Sequence, residues 1–343
     1  MLTENKKRTT IKDVAEFVGV TPAVVSRVFN RDETLNIKEE TRQAVLDAIK
    51  ELNYVPNSVA RSLRTHTTNT IGVLISDITN PFYTEVVKGI QSVAFSSGYT
   101  VVLCDTTDNS EEERKHIKKL SAQFVDGIIL GSSYVEDDVV DLLEDLHIKY
   151  VMVNRGSENS KAPYVKSDDI DGMAAAMDYL LSSGHTKIAH LSGPLYAETA
   201  IRRLTGYRKA LLEAGIPYNS QYVVETMFDE ASGYQACKQL LACDERPTAI
   251  CAANDMIAIG AMNAVKEAGL SVPEDISVIG YNDIWVASKL SPPLTTVRCN
   301  MHDMGVKAFE LLVDIINNKP EVEHKLILPT QLEIRESVKN ISS

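Results

Sequence analysis

The sequence predicts an all-α headpiece followed by an α/β body whose parallel sheets fall into two lobes. Residues 10–30 hold two short amphipathic stretches separated by a tight turn, with Ala15, Gly19 and Val25 in the order Ala-x3-Gly-x5-Val. From Ile71 onward, short β-branched runs alternate with amphipathic stretches, the pattern of parallel strands covered by helices on both faces. Charge divides at the same place. Residues 1–64 carry 11 Lys/Arg against 9 Asp/Glu, a net of +2, and the remainder carries 24 against 38, a net of −14. A weakly basic head on an acidic body is the asymmetry of a nucleic-acid reader joined to a soluble domain.

At 343 residues the chain exceeds one ordinary domain and suits two or three. With 44% hydrophobic and 24% charged residues it builds a sizeable core rather than a disordered chain. No apolar run approaches the roughly 18 residues of a membrane span. The opening MLTENKKRTT has basic residues but no apolar stretch after them, so a cytoplasmic location is expected, with no membrane partner. The five cysteines are odd in number and never spaced C-x-x-C, which points to reduced thiols rather than a disulfide frame or zinc site. No cofactor is expected.

Each headpiece helix has its own signals. Thr10 caps the first, with Asp13 three residues on, and Ile11, Val14, Ala15 and Val18 recur at helical spacing. Gly19 ends it. Thr21 caps the second helix, and Pro22 occupies its first turn, where the missing N–H is harmless. The close spacing reads as a helix-turn-helix, with an ordinary helical hairpin as the alternative. A third helix is expected with Asn36 as cap and Val45, Leu46, Ile49 and Leu52 on its apolar face.

IKDVAEFVGVTPAVVSRVFN, TRQAVLDAIKELNYVPNSVARSL and TNTIGVLISDITNPFY closely resemble the head, linker and first body strand of the lactose-repressor (LacI/GalR) family. GPLYAETAIRRLTGY, AANDMIAIGAM, SVIGYND and PPLTTV continue the resemblance through residues 9–335. It implies a headpiece over 1–55, a hinge helix and linker over 56–68 and a periplasmic-binding-protein-like (type I) body over 69–335, with a tail at 336–343. The body's first lobe would comprise 69–165 and 294–327, and its second 166–293 and 328–335, with crossings near 166, 293 and 328. Thr21, Pro22, Ala23, Ser26, Arg27 and Asn30 would face the major groove or its phosphates. Arg27 suits a bidentate guanine contact, and Thr21 and Ser26 suit phosphates. Asn57, Arg61 and Leu63 fall in the hinge. About eight residues make a helix too short to persist alone in water, so it would order when two copies pair on DNA with Leu63 wedged into the minor groove. The alternative is a plain linker whose Leu63 packs on its own body.

Ligands of open α/β sheets sit beyond the carboxyl ends of the strands. Asp77, Asn80, Phe82 and Tyr83 follow the first strand there, and Asn154 and Arg155 the fourth. Arg203, Phe228, Asn254 and Asn282 follow later strands. Aromatic faces with amide, guanidinium and carboxylate groups suit a ring bearing hydroxyls, such as a sugar. The resemblance makes Arg203 and Asn282 the polar anchors and Tyr83 and Phe228 the ring contacts. Relatives often carry aspartate where Asn282 stands. Against this, half of these residues could simply cap helices, Asn254 among them.

The acidic runs Ser110–Glu113 and Ser167–Asp171 read as capped helix starts, and His185 and His190 lack metal-ligand spacing. G-x-S-x-G, Walker, G-x-G-x-x-G and H-E-x-x-H patterns are missing, so no enzyme is expected. The expected function is a sequence-specific transcription regulator, a repressor, on a pseudo-palindromic operator of double-stranded DNA. It works as a homodimer under a small-molecule effector, a carbohydrate. Two alternatives stay open: a solute-binding receptor with no regulatory role, and a catabolite-control regulator driven by a protein corepressor.

Overall fold

The computed structural model describes residues 9–55, 67–132, 138–156 and 161–342. The chain divides into a unit at 1–68 and a unit at 69–343. In the first, α1 (Ile11–Val18), α2 (Pro22–Phe29) and α3 (Glu39–Glu51) enclose Val14, Ala15, Val25, Val28, Leu35, Val45 and Ala48. Thr10 and Asp13 close a reciprocal capping box on α1, and Gly19 adopts φ +73° to end it. Thr21 caps α2 with Pro22 in its first turn. α3 differs from expectation. Its N-cap is Lys38, with no side-chain cap, and Asn36 lies outside the helix; Glu39 and Glu40 supply the negative charge that its N-terminus favours.

The second unit contains two six-stranded sheets. The first has the order β11 (Lys325–Leu328), β5 (Tyr164–Ser167), β4 (Tyr150–Val153), β3 (Gly127–Leu130), β1 (Thr70–Ile75), β2 (Thr100–Asp105). The second runs β12 (Thr330–Glu333), β10 (Thr295–Cys299), β9 (Ser277–Asn282), β8 (Ala249–Ala252), β6 (Ile188–Ser192), β7 (Val223–Glu225). All pairings are parallel except β10 with β12. Strand side chains alternate between faces: Ile71, Val73 and Ile75 of β1 join one core and Leu74 another.

The chain passes between the sheets after Ser167, after Cys299 and between Leu328 and Thr330. The middle passage thus lies beyond the expected 293. Thr295–Arg298 are in parallel register with Ile279–Asn282, so residues 294–299 belong to the second lobe. The first passage also shifts slightly, since Lys166 and Ser167 pair with Ile327 and Leu328 in the first sheet. The tail is tied down rather than loose: Ser337 is buried, its Oγ accepting from Thr295 N and donating to Val278 O, and Ile341 N donates to Ser183 O.

Helices cover both sheets: α4 (Pro81–Ala94), α5 (Ser110–Ala122), α6 (Val139–Asp145) and α11 (Met301–Ile316) on the first, α7 (Asp169–Ser182), α8 (Glu198–Glu213), α9 (Glu230–Leu241) and α10 (Asp255–Glu267) on the second. α4 and α11 cross at bare backbone. A methyl group on Gly305 would overlap the Val86 carbonyl, and one on Gly89 the His302 carbonyl. Neither partner is a movable side chain, so Gly305→Ala is expected to destabilise the body by about 1–3 kcal/mol, the usual cost of overpacking. Chemical denaturation of the purified variant measures this; an unchanged midpoint would show that the crossing can spread.

Candidate ligand cleft and nucleic-acid interface

In each sheet the strand order reverses once. β2 and β3 flank β1 in the first, and β7 and β8 flank β6 in the second. Such switch points open a crevice at the carboxyl ends of the strands, and the segments leaving these ends line one narrow cleft with about 20 Å³ of free room. Its walls are Asn80, Phe82, Tyr83, Asn154 and Arg155 from the first lobe, and Thr199, Arg203, Phe228, Asn254 and Asn282 from the second.

Arg203 is the best-held of these side chains. It is 3% exposed, and its Nε donates to Asp169 Oδ1 at 2.8 Å and its Nη1 to Ala253 O at 2.6 Å. The guanidinium lies 3.9 Å from the centre of the Tyr281 ring, with Nη2 3.5 Å from Asn282 Oδ1. Burial raises the Asp169 carboxyl above the usual range while Arg203 pulls it down; burial also opposes the charge on Arg203, which Asp169 holds protonated. Asn282 ends β9 at φ +108°, a strained conformation at the site.

Across the cleft, Arg155 donates to Ser132 O at 3.4 Å, pairs with Asp108 at 3.5 Å and lies 5.9 Å from the centre of the Phe228 ring. A methyl group on Gly193 would overlap that ring, so the phenyl fills the space of a missing Cβ. Tyr83 donates to Gly131 O at 2.9 Å and accepts from Ser76 Oγ at 2.8 Å, joining the ends of β1 and β3. Its ring stands edge-on to Phe82.

Further contacts tie the lobes together. Lys166, fully buried on β5, donates to Glu198 Oε1 and to Gly156 O at 2.8 and 2.9 Å, while Gly156 N donates to Glu198 Oε2 at 2.8 Å. Tyr196 donates to Asp108. This network was not foreseen. Nor was Thr199, although its place four residues before Arg203 on one helix face is the signal that reveals it.

Asp77 and Asn254 both bond the local backbone. Asp77 is absent from the lining, and its Oδ1 accepts from Thr79 N and Oγ1. Asn254 lines the cleft but commits its amide, Oδ1 accepting from Ile257 N and Nδ2 donating to Phe228 O. It caps α10 and holds the Phe228 segment. His190 is buried and stacked on Tyr207, its Nδ1 on Cys251 O. Among the described residues no group of His, Cys, Asp or Glu could hold a metal, and no helix is long and apolar enough to cross a membrane.

In the headpiece, Thr21, Pro22, Ala23, Arg27 and Asn30 are exposed and Ser26 is half-buried. Thr21 Oγ1 accepts from Val24 N, and Asn30 Nδ2 donates to Ser26 O. Arg27 pairs with Asp32 at 2.7 Å. Asn57, Arg61 and Leu63 lie outside the described residues.

A helix-turn-helix ahead of a two-lobed cleft defines the class of ligand-responsive transcription regulators. Residues 10–57 match the model for bacterial regulatory proteins of the lacI family, and residues 177–338 match a periplasmic binding protein-like domain. The HTH-type transcriptional repressor PurR of Histophilus somni is 38% identical over 97% of this chain and 99% of its own. The lac repressor dimer bound to operator and the anti-inducer ONPF superposes with a TM-score of 0.89, at 31% identity over 97% of this chain and 100% of that one. A complex of the transcriptional regulator CelR with cellobiose gives 0.75, at 34% identity over 96% and 100%. The chain belongs to the lacI family of DNA-binding transcriptional regulators.

Asp255, beside the cleft residue Asn254, gives a pH test of the second lobe. It is fully buried, accepting from Thr296 Oγ1 at 2.6 Å and Ile284 N at 2.8 Å, and burial pushes its carboxyl up to about 7. A folded-state value above the unfolded one means the folded protein binds the extra proton. Stability therefore falls as pH rises from about 4 to 7, by at most about 1.4 kcal/mol per unit. Asp255→Asn mimics the protonated acid and should flatten that slope; urea midpoints at pH 5, 6 and 7 compare the two proteins.

Proposed function

We propose that this chain is a homodimeric repressor whose operator affinity is set by an uncharged carbohydrate held between the lobes. The observation that carries the ligand class is the cleft's composition. Phe82 and Phe228 supply flat apolar faces, Arg203 and Asn282 supply convergent polar groups, and both guanidiniums already have carboxylate partners in Asp169 and Asp108. Donors without uncompensated charge suit neutral hydroxyls. A purine base is the second reading, supported by the PurR relatives and by the two phenyl rings. The dimer is supported by the lac repressor assembly and by Trp285, 68% exposed just after β9.

Operator contacts are assigned to Thr21, Pro22, Ala23, Ser26, Arg27 and Asn30, with Asn57, Arg61 and Leu63 following in sequence. The cleft is a binding site and not a catalytic one. Ligand and DNA are then coupled through the body, and the coupling is reciprocal.

Calorimetry with monosaccharides, disaccharides, sugar phosphates and purine bases tests the ligand class. A neutral sugar is expected to bind and to be recovered unchanged. Binding of a purine alone would exchange the first reading for the second, and turnover would make the protein an enzyme. Repeating the titration with a duplex selected by the protein should shift ligand affinity by about 5- to 150-fold. No shift would remove the allosteric link.

A further inference from the structure

We propose that Asp32, with Thr34, is a positioning residue that presents Arg27 to a guanine edge. The inference rests on the reading of α2 as the helix that enters the DNA. On the exposed part of α2, Arg27 is the side chain able to make two hydrogen bonds to one base.

The backbone places the two residues together. α2 ends with Asn30 as C-cap and Arg31 at φ +53°, with Arg31 N donating to Val28 O and Asp32 N donating to Arg27 O, both at 3.0 Å. This is a Schellman ending, and it returns Asp32 beside the residue whose carbonyl it binds. The side chains then close a ring. Asp32 Oδ2 accepts from Arg27 Nε at 2.7 Å, and Thr34 Oγ1 accepts from Arg27 Nη2 at 2.8 Å. Thr34 Oγ1 donates to Asp32 Oδ1 at 2.6 Å, and Thr34 N donates to the same oxygen at 2.9 Å.

A guanidinium has five N–H donors in a fixed plane. The ring takes one on Nε and one on Nη2. The remaining donors, on the two terminal nitrogens, keep the fork spacing that matches guanine O6 and N7. A free arginine would have to freeze its long side chain on meeting DNA, whereas here much of that ordering is complete beforehand. A carboxylate in this place also repels the phosphate backbone. Discrimination is gained and indiscriminate affinity is lost.

The experiment uses the full-length protein and a duplex selected from a library with two randomised half-sites. Each guanine of the selected duplex is replaced in turn by 7-deazaguanine, which lacks the N7 acceptor. For the wild type, one guanine per half-site should show a loss of about tenfold, absent in Arg27→Ala. In Asp32→Ala and in Thr34→Val that penalty should fall below about threefold, while affinity for an unrelated duplex is unchanged or higher. Asp32→Asn, which keeps an acceptor, should fall between. Circular dichroism confirms that the exposed substitutions leave the headpiece folded. A full 7-deazaguanine penalty in Asp32→Ala would overturn the positioning role while leaving Arg27 as a base contact. If Arg27→Ala itself retains the penalty at every guanine, Arg27 is not the reader and both ideas fail.

Discussion

The buried pair of Asp169 and Arg203 is the constraint on which the cleft depends. Asp169 is the first residue of α7, immediately after the chain first leaves the first sheet, and Arg203 lies one turn into α8. Burying two charges is expensive and is offset only when their geometry is good and their other hydrogen bonds are made. Here Ala253 O, the Tyr281 ring and the long contact to Asn282 supply those partners for Arg203, while Asp169 Oδ2 is buried without one. One guanidinium thereby fixes the ends of β8 and β9 relative to α7 and α8. Removing either partner would leave an uncompensated interior charge, so the second wall of the cleft stands or falls as a unit.

The two lobes solve the same problem in the same way. Each reverses its strand order once, and each aims the loops of that reversal at the other. The first lobe closes its reversal with Tyr83 between Ser76 and Gly131, and the second closes its own with Thr226, whose N and Oγ1 both donate to Ser192 O. Each wall carries both an apolar face and a guanidinium, Phe82 with Arg155 on the first lobe and Phe228 with Arg203 on the second.

Much of this was legible in the sequence, and the failures share causes. The β-branched runs at 71–76, 99–105, 127–131, 150–154, 187–192, 248–253 and 277–281 coincide with β1 to β4, β6, β8 and β9 to within a residue or so at each end. β5, β7, β10, β11 and β12 were not read. They are three to five residues long, carry Lys, Arg, Gln or Glu within them, and several sit at sheet edges where one side meets solvent. Missing β10 displaced the middle lobe crossing. In the cleft, residues at strand ends were found because the crevice rule names those positions. The Lys166–Glu198–Gly156 ring was invisible because its members are far apart in sequence and none belongs to a motif. Asp77 falls outside the cleft lining and Asn254 within it, and both bond the local backbone, as the capping alternative allows for Asn254.

α4 starts at the cleft with Phe82 and Tyr83, and α11 starts at the middle passage between the lobes. Because these helices meet backbone to backbone at Gly89 and Gly305, neither can slide along the other at that crossing without displacing a carbonyl, and the cleft end of one is held in register with the interlobe end of the other.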